Sequence, residues 1–181
     1  MRRDSRTRDS VTPESVGPLS RPVAVDNLPA RGIEATVEAT VEECAALAAD
    51  FKLAAIRSLV GRYKLTGTPE RVRVAGRITA AVTQVCVVTL DEFDSDLDEE
   101  VEVDFSAPDS LPLTTGESER EYEPPDEIVN GHIDLGSITA EFLALGLDPY
   151  PRKPGVDFTY ELKDDPADGP FAALGKLKQP K

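Results

Sequence analysis

Basic side chains cluster in one stretch of an otherwise acidic chain. The cluster consists of Arg57, Arg62, Lys64, Arg71, Arg73 and Arg77. Guanidinium groups bind phosphate through a planar fork of N–H donors, so this segment is a candidate for contact with a phosphate backbone or with a protein partner. The alternative is internal pairing with the acidic stretch near Val101 and Asp104, because opposite charges on neighbouring strands favour their register. The sequence leaves both interpretations open.

A second candidate surface lies near the carboxyl end, where Phe171, Leu174 and Leu177 recur every three residues. Lys176 and Lys178 lie beside them. A helix this short is not stable alone, so we expect it to dock in a groove of a partner or on RNA. Docking on the protein's own sheet is the alternative.

Patterns typical of catalysis and metal binding are incomplete. The acids of residues 94–98 alternate as in a calcium loop, but Glu99 occupies the position of the turn glycine and Phe105 that of the bidentate glutamate. His132 is the single histidine, and no nucleophile elbow, phosphate-binding glycine loop or zincin helix accompanies it. We therefore predict neither an enzyme nor a bound cofactor or metal ion.

Charge and composition restrict the partners. Lys and Arg total 20 against 34 Asp and Glu, a formal net charge of -14, which repels a phosphate backbone at long range. Contact with RNA must then be local or pass through a protein, and DNA binding is not expected. Two distant cysteines, no apolar run of about 20 residues and no secretory signal predict a cytoplasmic protein without a membrane span.

The elements that must position these residues indicate an α+β domain. Val72, Val74, Ile78, Ala80 and Val82 alternate with polar residues, which predicts a half-buried strand, and Gly76 marks a possible bulge. We predict a curved antiparallel sheet or small open barrel. Further extended segments are predicted at 22–25, 33–39, the end of 56–65, 85–90 and 101–105.

Two short helices complete the predicted domain. Thr40 and Glu43 have the spacing of a capping box, which predicts a helix over about 41–50. Ser137 is the predicted cap of a helix over about 138–146, and Asn130-Gly131 before it predicts a tight turn.

Composition also predicts the domain boundaries. Residues 1–20 are read as a disordered tail, 21–162 as one domain and 163–181 as a linker with the docking patch. Acids, Pro, Gly and Ser concentrate in residues 106–126, which are predicted to form a mobile acidic loop.

Several motifs in order resemble the YceD-type family of large ribosomal RNA subunit accumulation proteins, in its alphaproteobacterial branch. They are residues 74–76, 84–90, 133–136, 143–152 and 170–174. The resemblance implies support of 23S rRNA accumulation and supplies no catalytic residue. Gln84, Cys86, Thr89 and Leu90 form the signature, for which we expect a structural role. Relatives often carry Cys-x-x-Cys-Leu there, so Thr89 replaces the second thiol and makes a two-thiolate zinc or redox role doubtful.

Together these features predict a non-enzymatic accessory factor for 23S rRNA accumulation or large ribosomal subunit assembly. Its partner would be a large-subunit precursor, 23S rRNA or a ribosome-assembly protein. The alternative is a protein-interaction adaptor that uses its acidic loop and never touches RNA.

Overall fold

The computed structural model describes residues 17–108 and 125–157. The chain forms two helices and seven strands in these ranges. In chain order they are β1 (Pro22–Ala24), β2 (Ile33–Glu38), α1 (Val41–Phe51), β3 (Ala55–Thr68), β4 (Arg71–Val85), β5 (Glu92–Ser106), β6 (Asp126–Glu127), β7 (His132–Asp134) and α2 (Leu135–Gly146).

The main sheet has the order β2-β3-β4-β5-β6, and β1 pairs with β7 in a second, two-stranded sheet. Neighbours from β2 to β5 are antiparallel, whereas the two-residue strand β6 is parallel to β5. The predicted α+β class with two short helices is confirmed. The sheet is open, since β2 and β6 lie at opposite edges and do not pair.

Strand β4 confirms the alternating pattern. Val72, Val74, Ile78 and Val82 are almost completely buried, while the arginines between them are exposed. β4 pairs with β5 without interruption from Arg71 opposite Ser106 to Val85 opposite Glu92. The middle of the sheet is therefore a long ladder with one buried and one solvent-exposed face.

The predicted bulge at Gly76 is wrong. Gly76 lies in regular register between Tyr63 and Val101, and the irregularity is instead in β3, between Ile56 and Ser58. A Cβ atom added at Gly76 would lie 2.8 Å from Cδ1 of Tyr63, and one at Gly61 would lie 2.6 Å from the same ring. Gly76 is thus a site of close packing for an aromatic ring. β3 is a strand throughout.

The capping box of α1 is confirmed. The Thr40 hydroxyl accepts a hydrogen bond from the amide of Glu43, whose carboxylate accepts one from the amide of Thr40. These contacts satisfy amides that the first helical turn leaves free.

The predicted cap of α2 is wrong, because Asp134 occupies that position and the helix begins at Leu135. The Asp134 carboxylate accepts hydrogen bonds from the amides of Gly136 and Ser137 at 2.9 and 3.3 Å. Before it, the Asn130-Gly131 turn is confirmed: both residues have positive φ, at 51° and 73°.

Both helices pack on the same face of the main sheet and share one hydrophobic core with it. Leu47 of α1 and Leu143 of α2 are buried with Leu59 and Ile78 of the sheet. The amino-terminal segment joins this core through Leu19, which is 1% exposed, so packing begins two residues before the predicted start at Arg21.

Several predictions concern residues outside the described ranges. They are the tail up to residue 16, the acidic loop over 109–124 and the carboxyl-terminal patch with Phe171, Leu174, Lys176 and Lys178. The predicted domain boundaries therefore stay predictions. Among the described helices, none is long and apolar enough to cross a membrane.

Candidate interaction surface

One strand carries a row of carboxylates along its solvent-exposed side. β5 alternates exposed acids with residues that face the helices, because successive side chains of a strand point to opposite faces. We call this set the acidic row: Glu92, Asp94, Asp96, Asp98, Glu100, Glu102 and Asp104. The row runs the length of the β4–β5 ladder.

Three of the predicted phosphate-binding cations pair with the acidic row. The Arg77 guanidinium contacts Asp98 at 2.9 Å and Glu100 at 2.8 Å. The hydrogen bond to Asp98 is the largest cause that raises the pKa of Arg77. The negative charges of Asp98 and Glu100 and the hydrogen bond to Glu100 raise it further. Arg73 pairs with Glu102 in the same way. The internal pairing proposed for this strand is therefore present.

Arg57 extends the same pattern to β3. Its guanidinium lies 3.1 Å from the Asp94 carboxylate, which also accepts a hydrogen bond of 2.8 Å from the Thr83 hydroxyl. Both charged side chains remain about half exposed, at 47% and 59%. The pair therefore guides strand register more than it stabilises the fold.

Arg62, Lys64 and Arg71 make no ion pair within the described residues, although all three are exposed. In the register, Arg62 lies opposite Arg77 and Lys64 lies opposite Glu34. The structure thus divides the six predicted cations into three that are neutralised by β5 and three that remain available.

The acidic row also lies on a sheet edge. On the side away from β4, strand β6 pairs only with Phe105 and Ser106 of β5. Within the described part of the chain, the backbone of residues 92–104 has no neighbouring strand on that side. Charges on such an edge oppose accidental pairing with other strands, and here the charge has one sign.

The signature residues 84–90 form a bend rather than the predicted continuous extended chain. β4 ends at Val85, and the Leu90 amide donates to the Cys86 carbonyl at 2.9 Å to close a turn. Gln84 is buried and accepts a hydrogen bond from Ser95, whereas Leu90 is 77% exposed with a φ of 63°.

Cys86 begins this turn as a buried residue. Hydrogen bonds from the Lys153 and Thr89 amides, and then from the Thr89 hydroxyl, lower the pKa of its thiol to about 6. Thr89 occupies the position of the second thiol in the resembling proteins and here donates to the first one. Cys86 therefore lies in a turn, where its sulfur accepts hydrogen bonds, and it does not continue the extended segment predicted for residues 85–90.

The same turn holds the segment after α2 in place. The Val87 amide donates to the Pro151 carbonyl at 2.9 Å, and Lys153 lies 3.8 Å from the Asp91 carboxylate. The family signature and the Pro-rich stretch after α2, which are far apart in sequence, thus form one structural unit.

Features of catalytic or metal sites do not converge in the described ranges. His132 is exposed, and its ring contacts the Asn130 carbonyl at 2.8 Å. Residues 94–98 lie on a strand and do not form a loop that could surround calcium. No group of three or more potential ligands among His, Cys, Asp and Glu was found in the described residues.

Sequence reasoning missed a groove beside α2, lined by Phe142 and Leu145 and by Ser106 of β5. A signal for it was present. Ile138, Phe142 and Leu145 recur at i, i+4 and i+7, which extends the core-facing side of α2 from the buried Ile138 to the exposed Leu145.

The family comparison matches residues 74–178 to the description "Large ribosomal RNA subunit accumulation protein YceD". The match begins within β4 and includes the acidic row, α2 and the carboxyl-terminal patch. Comparison with curated proteins and with solved structures finds no match to the chain. The alphaproteobacterial branch stays a prediction.

Proposed function

This chain belongs to the YceD family of large ribosomal RNA subunit accumulation proteins, and we propose that it acts there by binding, without catalysis. In this proposal it is an accessory factor for 23S rRNA accumulation that associates with large-subunit precursors. Its main contact is a basic assembly protein, held by the acidic row.

The observation that supports this proposal is the pairing between β4 and β5. Arg73 and Arg77 are already neutralised, so the outer face of this ladder is dominated by carboxylates. Such a face repels phosphate and attracts cationic segments, and it speeds their association more than it adds affinity. Glu92, Asp96 and Asp104 make no ion pair within the described residues and remain for a partner.

A second candidate is direct contact with rRNA through Arg62, Lys64 and Arg71. These exposed cations are not neutralised within the described ranges. Each phosphate contact releases counterions, so binding through three of them would weaken with salt at a slope of about -2 to -3 on logarithmic axes.

The two candidates are separated by full-length variants that remove three charges each. The acid variant carries Glu92→Gln, Asp96→Asn and Asp104→Asn. The base variant carries Arg62→Gln, Lys64→Gln and Arg71→Gln. A matched control removes three exposed acids elsewhere, through Glu38→Gln, Asp50→Asn and Asp157→Asn.

Sucrose-gradient sedimentation of tagged protein from cell lysates at low and high salt measures association with large-subunit precursors. We expect the acid variant to leave the precursor fractions while the base variant and the control remain. Loss of the base variant alone would support direct RNA contact instead. Absence of the unaltered protein from those fractions at low salt would contradict both candidates.

A further inference from the structure

A groove of about 780 Å³ lies between α2 and the end of the β4–β5 ladder at Arg71 and Ser106. Apolar residues line the groove on two sides: Val72, Val103 and Phe105 from the sheet, and Ile138, Phe142 and Leu145 from α2. Ile138 is buried at 6% exposure, but Leu145 is 71% exposed, so this part of the helix wall lacks apolar cover within the described residues.

The groove contains a polar group without a partner. Ser106 lines it and is 1% exposed, yet its hydroxyl makes no hydrogen bond to any described residue. A buried hydroxyl without a partner destabilises a protein, because it has lost its hydrogen bonds to water. The groove therefore suits an occupant that combines apolar side chains with a hydrogen-bonding backbone.

The rim of the groove favours a cationic occupant. Its acids are Glu102, Asp104, Asp126 and Glu141, against Arg71 and Arg73. Since Arg73 already pairs with Glu102, carboxylates form the larger part of the remaining rim charge.

We propose that residues 171–178 of this same chain dock in the groove. Phe171, Leu174 and Leu177 recur every three residues, a spacing that would place them on one side of a docked helical turn against the apolar walls, while Lys176 and Lys178 match the acidic rim in charge. A docked peptide backbone would offer carbonyl acceptors to the Ser106 hydroxyl. This inference does not require the partner proposed above, although Glu102 and Asp104 belong both to the rim and to the acidic row.

The length of the chain permits this contact. Asp157, the last residue described, is 12 residues after Leu145, so an extended chain limits their separation to about 40 Å. Phe171 is 14 residues further on and can span about 46 Å from Asp157. Because the reach from Asp157 to Phe171 is longer than the greatest distance from Asp157 to Leu145, Phe171 can reach the groove.

Docking would make the segment unavailable to other molecules. A protein or RNA that binds Phe171 and Leu174 would have to displace them from the groove first.

Photocrosslinking of the full-length protein tests this inference. The photoreactive analogue p-benzoylphenylalanine replaces Phe171, and crosslinked peptides are identified by mass spectrometry separately in the monomer and the crosslinked-dimer fractions. We expect crosslinks to α2 between Ile138 and Leu145, or to Phe105. Crosslinks confined to residues 109–124, to pairs of molecules or to distant surfaces would overturn the proposal.

Two surface variants show whether the groove directs the crosslink. Leu145→Gln removes apolar area at an exposed site of the groove, and we expect the yield to fall about five- to tenfold. Val129→Gln is the matched control, since Val129 is 60% exposed and does not line the groove. Equal yields in both variants would contradict the docking site.

Discussion

Tyr63 offers the sharpest test of how α2 is held against the sheet. Its ring is 3% exposed, and its hydroxyl lies 2.7 Å from the Thr139 hydroxyl of α2. Thr139 uses its own proton for the Leu135 carbonyl, so Tyr63 must be the donor. A tyrosine is already protonated at neutral pH, and burial raises the pKa of Tyr63 further above its usual value.

Two substitutions separate the hydroxyl from the ring. Tyr63→Phe removes one buried hydrogen bond and should lower the free energy of unfolding by about 1 kcal/mol. Tyr63→Ala also empties the space between Gly61 and Gly76, which have no side chains to fill it, so we expect a loss of about 4 kcal/mol.

Urea denaturation at pH 7 measures both effects. With a denaturant slope of about 2 kcal/mol per M, the midpoint should fall by about 0.5 M for the first substitution and about 2 M for the second. Tyr150→Phe, at a residue 72% exposed, is the control and should leave the midpoint unchanged. Equal decreases in the free energy of unfolding for Tyr63→Phe and Tyr63→Ala would refute the larger contribution assigned to the buried ring.

Three further predictions concern the ends of elements. Burial tends to raise the pKa of Asp134, but hydrogen bonds from Ser20 and nearby amides lower it overall. The ionised carboxylate therefore stabilises the fold above about pH 4, and this contribution is lost as the pH falls through the lowered pKa. In urea melts, the difference in free energy of unfolding between the unaltered protein and Asp134→Asn should shrink in acid. The Cys86 thiolate should titrate with a midpoint of about 6 by absorbance at 240 nm, and Cys86→Ala, which removes the acceptor, should speed exchange of the Lys153 amide; unchanged exchange would count against this contact. Leu90→Gly should raise the free energy of unfolding by about 0.5–1 kcal/mol, because φ is 63° at this position and glycine adopts such an angle without strain. A lower melting temperature for this variant would show that Leu90 is not strained in the turn.

The sequence predicted elements whose signal is local and periodic. Alternation in β4 requires one buried face whatever its partner, and the Thr40 and Glu43 box fixes the start of α1 through contacts three residues apart. The turn at Cys86 was not predicted because its apolar residues resemble a strand. One of the amides that donate to the Cys86 sulfur belongs to the distant Lys153, which no local pattern indicates.

Other misses depended on contacts between distant segments. Ser137 was predicted as the cap because serine is a common capping residue. Asp134 is the cap instead, and it also accepts hydrogen bonds from the Ser20 hydroxyl and the Arg21 amide, which lie more than a hundred residues earlier in the sequence. Likewise, the sequence left open whether Arg73 and Arg77 face phosphate or acids. The register of β4 with β5 places carboxylates beside them.

The most direct test of the proposed function is the ratio of 23S to 16S rRNA in cells that carry the acid variant in place of the unaltered protein. We predict that this ratio falls toward that of cells lacking the protein, while the matched control variant keeps it normal. A normal ratio in the acid variant, together with normal protein levels, would contradict a role for the acidic row in 23S rRNA accumulation.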